Sequence, residues 1–133
     1  MILMLLVNHY AGQRGTVETY NRKQRAIDQL RPLFDYLETH YREPISIEGA
    51  AEVMGMSKSH FMRFFKHVTG HPFVHYLNHY RIAKAQALLA TIEMSVAEVS
   101  QEVGFGDQSY FGMPFRKLAQ ISPLQYKRQY GTR

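Results

Sequence analysis

The sequence predicts an all-α chain: two helix-turn-helix subdomains joined by one long connecting helix. Three observations carry this reading. No run of useful length alternates apolar and polar residues in the way a half-buried strand does. A segment opening at Ser46 returns at Ser95, pairing Ile47 with Val96 and Gly55 with Gly104, each 49 residues on. Between the two copies, residues 72–90 hold no glycine and no internal proline and keep a helical apolar stripe.

The chain opens on an apolar run at residues 2–7. It is far short of the ~20 residues a spanning helix needs, and no Lys or Arg precedes it as in a signal peptide. It reads as the tail of a helix packed on something else, and no membrane partner is expected. Residues 11–23 hold two glycines and little apolar periodicity, so they read as a linker. From residue 24 the pattern is helical, with Ile27, Leu30, Phe34, Leu37 and Tyr41 on one stripe. Pro32 should kink that helix or mark its true start, and Pro44 ends it.

Ser46 then caps a short helix whose Ile47, Ala50, Ala51 and Met54 point inward. Gly55 supplies the left-handed conformation that closes it in a tight turn. Ser57 caps a longer helix with Phe61, Phe65 and Val68 facing the core, and short helix, glycine turn, longer helix is the pattern of a helix-turn-helix. Gly70 closes the unit and Pro72 suits the first turn of the next helix. The connecting helix would bury Phe73, Tyr76, Leu77, Tyr80, Ala83 and Leu88 and span roughly 28 Å. In the second copy the offset grows to 50 past the glycines, pairing Phe61 with Phe111, Phe65 with Phe115 and Lys66 with Arg116, so one extra residue lies in the turn. Ser122 and Pro123 open a last short helix through Tyr126 and Arg128. The expected organisation is an N-terminal segment and linker over 1–23, then a domain over 24–133 with a first helix-turn-helix at 24–71, a connecting helix at 72–90 and a second helix-turn-helix at 91–131.

A formal charge of +5 and a pI of about 9.6 favour a polyanionic partner. The chain has no cysteine, which excludes a disulfide scaffold, a thiolate zinc site and a Cys nucleophile, and suits the reducing cytoplasm. Neither a glycine-rich phosphate loop nor a nucleophile elbow is present, and the 11 carboxylates form no paired acidic motif, so no enzyme and no cofactor is expected. His67, His71, His75 and His79 fall at steps of four, and His75 with His79 would share one helical face. Pro72 separates the first two from the last two, no Cys or carboxylate completes the set, and no metal site is expected.

Residues 55–89 and 94–128 resemble the two halves of the DNA-binding domain of AraC/XylS transcriptional regulators. The second half carries that family's signature: Gly104-Phe105 and Asp107-Gln108-Ser109-Tyr110-Phe111, then Phe115-Arg116-Lys117, then Ser122-Pro123 with Tyr126. The resemblance covers about residues 24–130 and implies a bilobal, homeodomain-like all-α fold. It implies a cytoplasmic bacterial regulator of transcription, an activator, whose two reading helices near 57–68 and 107–118 enter adjacent major-groove segments of promoter or operator DNA. It further implies RNA polymerase as a partner. Residues 1–10 resemble the dimerisation helix that often precedes this domain, so the chain reads as the C-terminal piece of a longer regulator, forming a homodimer through that segment or through a sensor domain. A naturally short, sensor-free regulator is the alternative. So is a helical interaction module of the transcription machinery that reads no bases.

On the first reading helix the outward residues are Lys58, Ser59, Met62, Arg63 and Lys66. Arg63 is the strongest base reader, since its planar fork can pair with guanine O6 and N7, and the resemblance implies a base-contacting Arg there. Ser59 and Met62 suit a backbone oxygen or a thymine methyl; Lys58 and Lys66 suit phosphate. The second helix places Met113 opposite Arg63, between Gly112 and Pro114, where the family usually keeps a polar or basic side chain. Pro114 should kink or shorten that helix, leaving Gln108 and Ser109 to read bases, with Met113 near a thymine methyl and Arg116 and Lys117 on phosphate. Ser46 and Ser95 open helices whose free amides suit phosphate. Arg81 is expected on phosphate or in an ion pair with Glu93 or Glu98.

Overall fold

A computed structural model describes residues 17–91, 93–106 and 108–131 of the 133-residue chain. Residues 1–10, read above as a dimerisation segment, and Asp107, at the start of the second reading helix, lie outside the described residues. Among the described residues there are eight helices and no strand: α1 (Val17–Gln29), α2 (Arg31–His40), α3 (Ile47–Val53), α4 (Lys58–Thr69), α5 (Phe73–Thr91), α6 (Val96–Glu102), α7 (Gln108–Ala119) and α8 (Pro123–Tyr130). The chain divides into two compact units. The first holds α1–α4 and the opening turn of α5; the second holds residues 41–44 and everything from Leu77 onward.

Residues 17–23, expected in a linker, are helical. Two glycines suggested a linker, but both precede Val17, and beyond them Thr19, Lys23 and Ala26 recur at helical spacing with Phe64 and Val68 of α4 beside them. Pro32 marks a true start. The chain turns at Leu30, whose N–H donates to the Ile27 carbonyl and whose own carbonyl accepts from Phe34, and Pro32 occupies the first turn of α2. Leu30, Leu33 and Leu37 are the fully buried residues of this stretch, with Phe34 on the rim. Tyr41 lies past the end of α2 and is buried in the second unit's core.

The helix-turn-helix of the first unit forms for local reasons. The Ser46 hydroxyl accepts from Gly49 N–H at 2.9 Å and the Ser57 hydroxyl from His60 N–H at 3.2 Å, satisfying amides that no helical carbonyl can reach. Between them Gly55 takes φ 68°, and Met56 N–H returns to the Ala51 carbonyl at 2.9 Å. Ala50 and Ala51 of α3 are buried, and Phe61 and Phe65 of α4 pack with Phe73 at 5.4 to 5.5 Å between ring centres. Each such ring contributes about 1.5–3 kcal/mol by leaving water.

The second unit repeats the design further than the sequence comparison suggested. Ser95 and Ser122 cap α6 and α8, and each cap's own N–H donates in return to the side-chain oxygen of Glu98 or Gln125. Gly104 (φ 97°) and Gly106 (φ 73°) both sit in the turn, which absorbs the extra residue. At the end of α7, Gln120 takes φ 74° where Gly70 takes 84° at the end of α4, and each donates back to the fourth residue before it at 2.8 Å. Phe111 and Phe115 match Phe61 and Phe65, and Tyr126 packs on Phe115 at 5.5 Å as Tyr76 packs on Phe65 at 5.7 Å. On α5 the second core takes Ile82, Ala85 and Leu89 fully; Tyr80 and Leu88 pack at its edge and Ala83 is half-buried.

Candidate nucleic-acid interface

α4 is anchored by Phe61, Phe65 and Val68, so the residues half a turn away are presented outward. At 100° per residue Arg63 lies directly opposite that anchor, with Ser59 one turn before it and Lys66 one turn after, all exposed. Among the described residues neither the Arg63 guanidinium nor the Lys66 ammonium is held by another side chain. The other two expected contacts, Lys58 and Met62, fall on the flank toward α3. There Lys58 Nζ lies 3.2 Å from Glu48 Oε2, which occupies the lysine expected on phosphate. Glu48 is held below the usual carboxylate range, first by its own backbone N–H at the start of α3 and then by Lys58.

α7 carries the equivalent stripe. Phe111 and Phe115 are buried, and Met113, 80% exposed, occupies the position of Arg63, flanked by Ser109, Arg116 and Lys117. Gln108, expected to read bases, sits at the edge of this face as Lys58 does in α4. The helix is not shortened at Pro114: it runs unbroken from Gln108 to Ala119. The carbonyl that proline deprives of a donor belongs to Tyr110, on a turn whose side chain is 73% exposed, so water can take the missing donor's place. Gly112 has no atom within 4 Å of where a Cβ would stand, which leaves the helix surface bare beside Met113. Ser109, Gly112, Met113, Arg116 and Lys117, with Ser122 and Pro123, line an open trough of about 540 Å³.

Two expectations change. Arg81 is neither a phosphate contact nor an ion pair with Glu93 or Glu98. Only 8% exposed, it donates from Nε to the Tyr41 carbonyl at 3.0 Å and from Nη2 to the Glu43 carbonyl at 2.8 Å, with Phe105 alongside its guanidinium. Burial pushes its pKa down from the ordinary value. The two charge-assisted bonds to backbone carbonyls tie the 41–44 segment to the second unit. Ser46 and Ser95 spend their hydroxyls as caps, and at Ser95 the Glu98 carboxylate already occupies the cap N–H at 2.8 Å. A negative group at that helix end opposes a phosphate. At Pro72 the helical continuity breaks as expected, α4 ending at Thr69 and α5 beginning at Phe73, with the rings of His71 and His75 stacked at 4.6 Å across the break. Among the described residues no three His, Cys, Asp or Glu side chains gather where they could hold a metal.

The structure also exposes residues that the sequence reading passed over. Tyr110 stands on the outward half of α7, and His60, edge-on to Phe64, holds the matching place on α4. Their equivalence through the repeat offset was the available signal.

The helix-turn-helix domain family model matches residues 50–129. An HTH-type transcriptional regulator of Escherichia coli, YijO, is 31% identical over 98% of this chain, and one of Bacillus subtilis, YdeC, is 34% identical over 75% of it. The chain spans 45% and 34% of those two proteins' lengths. Among solved structures, the C-terminal domain of the response regulator yesN from Fusobacterium nucleatum superposes with a TM-score of 0.71 at 32% identity, covering 75% of this chain and 98% of that one. The DNA-binding domain of the transcriptional factor AdpA, solved in complex with a target DNA, gives 0.73 at 30% identity, covering 77% of this chain and 92% of that one. With both helix-turn-helix units in place, this chain belongs to the AraC-type helix-turn-helix family of transcriptional regulators.

Proposed function

We propose that the chain is the sequence-reading part of a bacterial transcription activator working in the cytoplasm, with α4 and α7 each entering a major groove of promoter DNA. The observation that carries this is the repeated stripe: two helices, each clamped by two buried phenylalanines, each presenting a serine, a central reader and a cation on the opposite side. Arg63 reads guanine through its fork, with Ser59 and Met62 beside it. Met113 meets thymine methyls, with Ser109 and Gln108 at the edge of the contact. Lys66, Arg116 and Lys117 neutralise phosphates and set the register, and Lys58 does so once released from Glu48. The role is binding and not catalysis. Recruitment of RNA polymerase, and pairing through residues 1–10 or through a sensor domain, belong to the same proposal.

The test is binding to duplexes selected from random DNA. The wild-type chain should lose affinity steeply as salt rises. Arg63→Ala should cost about 1–3 kcal/mol on the selected site and little on random duplex. Equal losses on both would make Arg63 a phosphate contact, and salt-independent binding would favour a protein-interaction module.

A further inference from the structure

We propose that α1 is a phosphate-binding edge of the reading helix α4, so that the first unit grips DNA beyond the base pairs α4 reads. The inference rests on the DNA-reading function above and concerns residues outside the matched span of 50–129. α1 buries no residue, yet it packs against α4, and the two helices border an open groove of about 420 Å³. Its floor is Ala26, Phe64 and Val68; Arg22 and Lys23 straddle Ala26 on α1, and His67 closes the α4 side. His67 lies one turn beyond Arg63, so these cations border the outward stripe.

A helix in the major groove nearly fills its ~12 Å width, so a sugar-phosphate strand runs past each of its flanks. On one flank of α4, toward α3, Lys58 is paired with Glu48 and reaches a phosphate only when that pair opens. The opposite flank is α1, which carries the run Arg22-Lys23-Gln24-Arg25. Arg22 lies 3.7 Å from Glu18, and both side chains are largely exposed, at 71% and 85%. Such a pair is weak and exchanges readily for a phosphate partner.

The experiment uses the full chain, a selected duplex and a random duplex, with affinity measured across salt. Arg22→Gln with Lys23→Gln keeps the alkyl stems that line the groove. This double variant should bind both duplexes roughly tenfold more weakly and lower the magnitude of the log–log salt slope by about two, leaving their ratio unchanged. Glu18→Gln should act in the opposite direction, raising affinity for both by roughly two- to threefold. Hydroxyl-radical protection should shrink at one end of the site in the double variant. An unchanged slope beside a steep wild-type slope, or weaker binding by Glu18→Gln, overturns the role of α1 and leaves the DNA-reading function standing. A wild-type chain with no salt-dependent binding overturns both.

Discussion

Gly55 and Gly104 occupy equivalent turns, and the sequence alone gives them equal weight. The structure separates them. Both have left-handed backbone, φ 68° and 97°, so alanine at either costs about 1–2 kcal/mol in steric strain. At Gly55 the added Cβ meets nothing within 4 Å. At Gly104 it would stand 2.6 Å from the Tyr41 carbonyl oxygen and 3.0 Å from Arg81 Nε, the two partners of a buried hydrogen bond. Neither yields cheaply: one is backbone, and the other is a guanidinium held also by the Glu43 carbonyl. Displacing them forfeits a charge-assisted bond worth about 1.5–3 kcal/mol, so Gly104→Ala should destabilise by about 2.5–5 kcal/mol in total. Urea unfolding of both variants, followed by circular dichroism, measures the contrast. Losses within about 0.5 kcal/mol of each other would refute the claim that Arg81 and Tyr41 close on this turn.

Gln120 is the one non-glycine residue at positive φ among those described, and Gly70 holds the same place in the first unit, so Gln120→Gly should raise stability by about 0.5–1 kcal/mol in urea unfolding. If Met113 reads thymine methyls, replacing thymine by deoxyuridine in the α7 half of a selected site should weaken wild-type binding several-fold but leave Met113→Ala nearly unaffected, by gel shift. Glu98 is held below its ordinary value of 4.5, chiefly by the Ser95 backbone N–H. A depressed folded-state pKa adds stability that is present above 4.5 and lost as pH falls through the lower folded value, so Glu98→Gln should flatten the acid limb of thermal melts across that window.

What was legible in the sequence was what depends on near neighbours. Ser46, Ser57, Ser95 and Ser122 each bond an amide three residues on, and Phe61, Phe65, Phe111 and Phe115 lie one helical turn apart within each pair. The internal repeat gave the two units, and family resemblance gave their DNA-reading role. Arg81 was not legible, because its acceptors lie 40 and 38 residues earlier and are carbonyls, which every residue possesses. Leu33 and Phe34 are both apolar, and the turn at Leu30 resets the phase that decides between them. Residues 17–23 of α1 went unread since nothing on them is buried, which removes the apolar stripe that announces a helix.

The two copies differ where reading would occur and agree where holding would. Caps, inward rings, the serine at 59 and 109, and the cation at 66 and 116 recur. Arg63 becomes Met113, Met62 becomes Gly112 and Lys58 becomes Gln108. Packing and the phosphate contact at 66 and 116 are the same problem at any site and are kept, whereas the central reader is free to follow its base pairs. A guanidinium seeks acceptors on a base edge; a thioether finds only a methyl. On the function proposed above, a single chain therefore recognises a site whose two halves differ in chemistry as well as in sequence, and an inverted repeat within one chain's site would contradict that division between Arg63 and Met113.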